Sequence, residues 1–318
     1  MPKTNQNSNG AEEILAAHQM VDVATPVAGG FDFDARRRLI DRLSESGGPL
    51  SDGSPYSTHL NPAWFNQGMQ VRAARAAVHA ELRREFQGRR PNVRCGHRAL
   101  VLAGPPGAGK SSVCRHLLAD LGTSVEDWRD LNADDFKDQL LLQASRDGSL
   151  GRELAPVGTE TLTPRERASL VHEESSMLMK QEQRRAINRG ENIMLDGTLG
   201  NEPRAELTLK RLAEHGYSVT LVVVDGPKSV TTARVQRRWR SGLVASTQAG
   251  ASARTRLGGR VVPGGFINQL YNQDAISVCT GIAHRLAERH SSVDCIMEYF
   301  VSHEDAAPEL VGLRRSRR

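Results

Sequence analysis

The chain has 318 residues, 38% of them hydrophobic and 25% charged, enough to bury a full core and build one large α/β domain with additions. Aromatic residues make up only 4%, so a stacking platform for single-stranded nucleic acid has little material, and nucleic acid is not expected as a partner. The net charge of +5 is modest, and much of it lies in arginine runs and in the stretch 313–318, which reads as a solvated basic tail.

Cys95, Cys114, Cys279 and Cys295 are scattered without a CxxC pair. A chain that buries its own core does not need disulfide staples. The start of the chain is polar, and no apolar run approaches the roughly 18 residues that span a bilayer. The expectation is a soluble cytoplasmic protein with no membrane partner.

The first ten or so residues are polar and are expected to be disordered. From Ala11 to about Arg90 the pattern is helical. It is clearest over Phe31–Leu43 and over Gln70–Phe86, where Val71, Ala74, Ala77, Val78 and Leu82 recur at helical spacing. No catalytic motif lies there, and residues 1–92 read as a helical extension packed on the main domain, residues 93–302, with 303–318 as the tail.

Ala99-Leu100-Val101-Leu102 reads as a buried strand running into a glycine-rich loop, with a helix over Ser111–Leu121 behind it. Further strands are expected at Trp128–Ala133, Asn192–Leu195, Val219–Val224 and Val293–Phe300. Helices are expected from Thr163 to Asn188, Pro203 to His215, Lys228 to Arg240 and Pro263 to His290. Ser241–Gly259, rich in small residues, reads as a mobile loop or lid. Apolar strands without polar alternation, separated by helices, mean a mainly parallel sheet covered on both faces.

Gly104-Pro105-Pro106-Gly107-Ala108-Gly109-Lys110-Ser111 is a Walker A pattern in the strand-to-helix context that the motif requires. Its glycines let backbone N–H groups face a phosphate, and the following helix presents its positive end to the same anion. These residues and Ser112 form the candidate nucleotide loop. Lys110 is the partner for the β- and γ-phosphates and Ser111 a ligand for Mg2+, so ATP and Mg2+ are the expected cofactors. The fold class is therefore a P-loop NTPase, three layers α/β/α, with the N-terminal helical extension added. No Asn-Lys-x-Asp guanine-reading motif and no transporter signature are present. A carboxylate after the second strand and arginines after the fourth suit small-molecule phosphoryl transfer, which needs a base for a hydroxyl proton and cations for the transferring group. Another small-molecule or polynucleotide kinase, or a nucleotide-dependent switch or partner-binding module, is the alternative.

Candidates for those roles follow in order. Asp134 and Asp135 come just after the second strand, where one carboxylate could face the ligand crevice and one could cap the next helix. Asp196 ends the third strand as a Walker B acid would, although Asp196-Gly197-Thr198 is also good turn chemistry. Arg234, Arg237, Arg238 and Arg240 share one helix, and spacing alone does not say which turns inward. His172-Glu173-Glu174 lacks zinc-site spacing; it reads either as a sugar contact or as a solvated first turn.

The ordered set resembles the zeta toxin family: the loop Gly104–Ser111, then Asn132-Ala133-Asp134-Asp135-Phe136-Lys137, Asp196-Gly197-Thr198, Arg237-Arg238, and Gly258-Gly259-Arg260-Val261-Val262-Pro263. The resemblance spans roughly residues 98–270. It implies a bacterial kinase that transfers the ATP γ-phosphate to the sugar 3′-hydroxyl of UDP-N-acetylglucosamine within a toxin–antitoxin system, with a small helical antitoxin as partner. By the same resemblance Asp134 is the base, Arg238 and Arg260 neutralise triphosphate charge, and Asp196, Thr198 and Glu173 lie on the substrate side. Asp196 joins Ser111 at the metal. Two positions depart from the family pattern: Lys180 stands where a substrate glutamate is expected, and Gly200 where an arginine is.

Overall fold

A computed structural model describes residues 31–315; the disorder expected of the first ten residues lies outside them. Six strands form one sheet: β1 (Arg98–Ala103), β2 (Arg129–Leu131), β3 (Ile193–Asp196), β4 (Ser218–Asp225), β5 (Val293–Phe300) and β6 (Glu309–Arg315). Their order is β2-β3-β1-β4-β5-β6, parallel except for antiparallel β6. Parallel neighbours require crossovers, and helices supply them. In chain order the longer helices are α1 (Phe33–Leu43), α2 (Ala73–Gly88), α3 (Lys110–Asp120), α4 (Ala133–Arg146), α5 (His172–Asn188), α6 (Glu202–Glu214), α7 (Lys228–Ser246), α8 (Gly264–Gln269) and α9 (Val278–Arg289).

The alternation of β1 shows why the layers number three. Ala99, Val101 and Ala103 face one core with Leu221, Val223 and residues of α4, α5, α6 and α9. Leu100 and Leu102 face a second core with Val222, Val224 and the α3 residues Val113, Leu117 and Leu118. The central strands β1 and β4 are therefore apolar along most of their length, because both of their faces are covered. Among the described residues all four cysteines are free, and no helix is long and apolar enough to cross a membrane.

The N-terminal helices are part of the main core. Ile40 and Leu50 are buried within it, and Phe86 stacks on Phe136 of α4. Arg36 of α1 donates to Glu166, and Phe33 meets the edge of Trp239. The α2 helix is fixed to α5 by two fully buried carboxylates. Arg75 donates Nε and Nη2 to the two oxygens of Glu174, at 2.6 and 2.9 Å, and His79 shares Oε1 at 2.6 Å. Arg83 and Gln87 hold Glu182 one helical stretch further on. Burial alone would push the Glu174 carboxyl upward, but the hydrogen bonds from His79 and Arg75 outweigh it and hold it at about 2.

A depressed carboxyl stabilises the fold above its unfolded pKa and loses that contribution as pH falls toward the folded value. For Glu174 that window runs from its ordinary 4.5 down to about 2. Glu174→Ala strands Arg75 as a buried charge and is expected to cost about 3–5 kcal/mol in urea unfolding. A loss below about 1 kcal/mol, the range of an exposed pair, would show that Arg75 is not held by this carboxylate.

Several elements differ from the sequence reading for identifiable reasons. The stretch after Thr163 opens as a 3-10 helix, Pro164–Val171, before α5 begins. Residues 241–246 continue α7 because Leu243 and Ser246 turn into the core, and a further helical turn follows at Ala253–Arg256. The expected loop is thus partly helical. Two of its four glycines serve close packing: a Cβ on Gly259 would lie 2.0 Å from the Trp239 carbonyl oxygen, and one on Gly258 2.3 Å from Thr163 Oγ1. The single helix expected after Pro263 is divided into α8 and α9, joined by a bridge between Tyr271 and Ser277. Residues 309–315 of the expected tail pair with β5, since Leu310, Val311 and Leu313 give the segment strand character and its arginines lie on an open edge.

Candidate active site

The C-terminal ends of β1, β2 and β3 open onto one cavity of about 1100 Å³. This is the crevice that open α/β sheets use for ligands, and it is large enough for two reactants. β1 enters the phosphate loop at Gly104, whose φ of 130° and near contact with Val224 admit only glycine: a Cβ there would sit 1.9 Å from the Val224 carbonyl oxygen. Gly109, at φ 101°, hands over to α3 with no side chain capping its first N–H groups. Pro106, Gly107, Gly109, Lys110, Ser111 and Ser112 line the cavity, whereas Ala108 is fully buried beneath the loop. Gly104 and Pro105 contribute carbonyl oxygens that accept from Lys110 Nζ at 2.9 and 3.2 Å. Burial depresses the Lys110 ammonium, with Asp196 the largest opposing influence.

β2 delivers Asn132, which takes the capping position ahead of the two adjacent acids. Its side chain caps α4 by accepting from the Asp134 N–H, and its amide donates to Asp196 Oδ2 at 3.0 Å. Neither aspartate is therefore needed as the cap. Asp135 turns away to Arg254 and is not among the lining residues. Asp134 faces the cavity, where Arg260 donates to its Oδ2 at 2.7 Å and Lys137 sits 3.3 Å from its Oδ1. Burial pushes the Asp134 carboxyl up, but Lys137 and Arg260 prevail and hold it below the ordinary carboxylate range. Asp196 lies across from it, its carboxyl raised by burial against the pull of Lys110. Thr198 also lines the cavity; its carbonyl accepts from Gly104 N–H and its hydroxyl from Gly200 N–H.

Two of the four arginines of α7, Arg234 and Arg238, line the cavity, and they differ in their partners. Arg234 donates to the Glu304 and Ala306 carbonyls, Arg237 to Asp305, and Arg240 pairs with Asp34 over the Phe33 ring. Arg238 lines the cavity and makes no hydrogen bond or ion pair among the described residues. Burial and the neighbouring Arg260 depress its guanidinium. Lys110, Asp134, Asp196, Arg238 and Arg260 thus meet in one space.

Glu173 does not join them. It is half-exposed at the start of α5, while the preceding His172 lines the cavity and the following Glu174 is the buried anchor of α2. Lys180 is exposed on α5 away from the cavity. Gly200 packs on Leu270, so closely that a Cβ would lie 2.5 Å from its Cδ2.

Asp138 is the residue that sequence reading missed. One turn after Asp134 on α4, and nearly fully buried, it accepts from Arg165, from Arg254 at 3.0 Å and from Arg260 at 2.9 Å. Its spacing of four from Asp134 was the available signal. The α1 and 44–52 residues that line the cavity carry no such signal, because they reach it through tertiary packing alone.

The family model described as Zeta toxin matches residues 87–293, and no curated protein matches the chain. In structure the chain is similar to AvrRxo1-ORF1:-ORF2 with ATP, at 15% identity and a TM-score of 0.50 over 76% of this chain and 68% of that one. It is also similar to a chain of the PezAT chromosomal toxin–antitoxin system of Streptococcus pneumoniae, at 15% identity and a TM-score of 0.49 over 75% and 80%. The family match spans well over half of the sequence and takes in the phosphate loop, the α4 acids, Arg238 and Arg260: the chain belongs to the zeta toxin family.

Proposed function

We propose that the chain is an ATP-dependent kinase whose acceptor is the sugar 3′-hydroxyl of UDP-N-acetylglucosamine or a related sugar nucleotide. The supporting observation is that Lys110, Asp134, Arg238 and Arg260 share one cavity with Ser111 and Asp196. On this reading ATP supplies the phosphoryl group, and Ser111 and Asp196 hold Mg2+. Among the described residues no three His, Cys, Asp or Glu side chains converge as a metal cage. Few protein ligands suit an ion that keeps its waters and binds phosphate oxygens.

Each protein group then has a task its geometry permits. Lys110 exchanges the Gly104 and Pro105 carbonyls for phosphate oxygens, and the open N–H groups of the loop and α3 bind the same anion. Asp134, ionised, takes the proton of the attacking hydroxyl. Arg238 has no hydrogen-bond or ion-pair partner among the described residues to give up, and it stabilises charge on the group in transfer. Arg260 is held by Asp134 and Asp138, so Asp138 positions it.

Asp138→Asn removes the charge that three arginines share and is expected to lower turnover about 10- to 100-fold through misplacement of Arg260. Steady-state kinetics would check this, and unchanged turnover would remove Asp138 from the scheme. A small helical antitoxin is the proposed protein partner and the cytoplasm the proposed location. Incubation with ATP, Mg2+ and a panel of UDP-sugars, followed by mass spectrometry, tests the acceptor. A mass gain of one phosphate on a UDP-sugar supports it; none on any of them, with nucleotide binding intact, rejects it.

A further inference from the structure

The cavity extends beyond the residues that handle phosphate. Lys110 lies within electrostatic reach of Asp134, Asp134 of Lys137, and His172 of both Lys137 and Asp52. This series leads from the phosphate loop, past the proposed base, to a wall made by α1 and the turn after it. Ile40, Asp41, Ser44, Glu45, Leu50 and Asp52 line that wall. All six precede residue 87, where the family match begins, so this wall belongs to the extension and not to the matched kinase region.

Its chemistry is distinct from that of the phosphate end. Ile40 and Leu50 are anchored in the core and give the wall an apolar base. Asp41 is occupied by Arg37 at 2.9 Å. The carboxylates of Glu45 and Asp52 are exposed and make no hydrogen bond or ion pair among the described residues, so packing of the fold does not account for them. An apolar base bordered by free carboxylates suits a ring that carries N–H or O–H donors, and it repels an anionic group.

We infer that the N-terminal extension forms the acceptor-selecting wall of this site, with Glu45 and Asp52 accepting hydrogen bonds from an uncharged, donor-bearing ring at the end of the acceptor remote from its reacting hydroxyl. This rests on the kinase reading and deepens it. A nucleoside ring system has the required chemistry, whereas an acceptor ending there in a phosphate does not. The extension cannot be tested by deletion, since Arg36, Arg75 and Arg83 tie it to the core. Point variants on the full chain are required, and the two exposed carboxylates permit them.

The test is E45A/D52A in the full chain, with steady-state kinetics on UDP-N-acetylglucosamine and on N-acetylglucosamine 1-phosphate, which lacks the remote nucleoside. The acceptor KM for UDP-N-acetylglucosamine is expected to rise about tenfold or more, with the KM for ATP unchanged. With the truncated acceptor, wild type and variant should have the same KM. Equal acceptor KM values for UDP-N-acetylglucosamine in wild type and variant would overturn the inference alone. Equal rises for both acceptors would show a general structural effect and would overturn it as well. No product from the wild type with any acceptor would overturn the kinase reading, and this inference with it.

Discussion

Asp134→Asn is expected to lower phosphoryl transfer about 10²- to 10⁴-fold while nucleotide affinity stays close to that of the wild type. The asparagine keeps the shape of the side chain, and Asn132 continues to cap α4 through the residue-134 N–H, so the fold should be intact. What disappears is the ionised oxygen that Arg260 and Lys137 hold below the ordinary carboxylate range. Such a group is charged at neutral pH and ready to accept a proton. The measurement is single-turnover transfer at saturating acceptor, beside equilibrium binding of ATP. Loss of binding in parallel with turnover would mean that Asp134 is part of the nucleotide site and not the base.

Lys110→Ala is expected to act earlier, on nucleotide capture. Its ammonium is buried, and its only hydrogen bonds among the described residues are to the Gly104 and Pro105 carbonyls, both replaceable by phosphate oxygens. Removing it leaves the Gly104 and Pro105 carbonyls without the lysine donor, although Pro105 still accepts from Ala108 N–H, and takes from the triphosphate its point charge. Hydrogen bonds to charged groups contribute about 1.5–3 kcal/mol each, so ATP affinity should fall about 10- to 100-fold, with a further loss in turnover. Titration of a fluorescent ATP analogue checks the first part. Wild-type affinity in the variant would mean that the glycine loop and the end of α3 bind phosphate without the lysine.

The sequence was most informative where local rules decide the outcome. The phosphate loop is legible because tight φ-positive turns demand Gly104, Gly107 and Gly109, and unbroken apolar runs announce strands covered on both faces. Asp134 and Arg260 could be placed by resemblance, but not their contact, since 126 residues separate the two. Which of four arginines on α7 stays unpartnered in the cavity was beyond periodicity, because Glu304, Asp305 and Ala306 from a distant loop claim Arg234 and Arg237. The reading of Ser241–Gly259 as a loop missed its helical parts for a related reason. Glycine and alanine signal freedom in isolation, yet here they let α7 and the Arg260 loop approach to backbone contact. The extension's place in the site was invisible for the same cause: Ile40 and Leu50 look like any amphipathic stretch until α1 has a core to pack on.

The central claim is that the cavity between the phosphate loop and Asp134 transfers a phosphoryl group to a sugar nucleotide. Transfer of label from γ-32P ATP to UDP-N-acetylglucosamine, compared between wild type and Asp134→Asn, tests it most directly. Labelled sugar nucleotide from the wild type, with a loss of at least 100-fold in the variant, is the expected result. Label released only as inorganic phosphate, or transfer undiminished in Asp134→Asn, would contradict it.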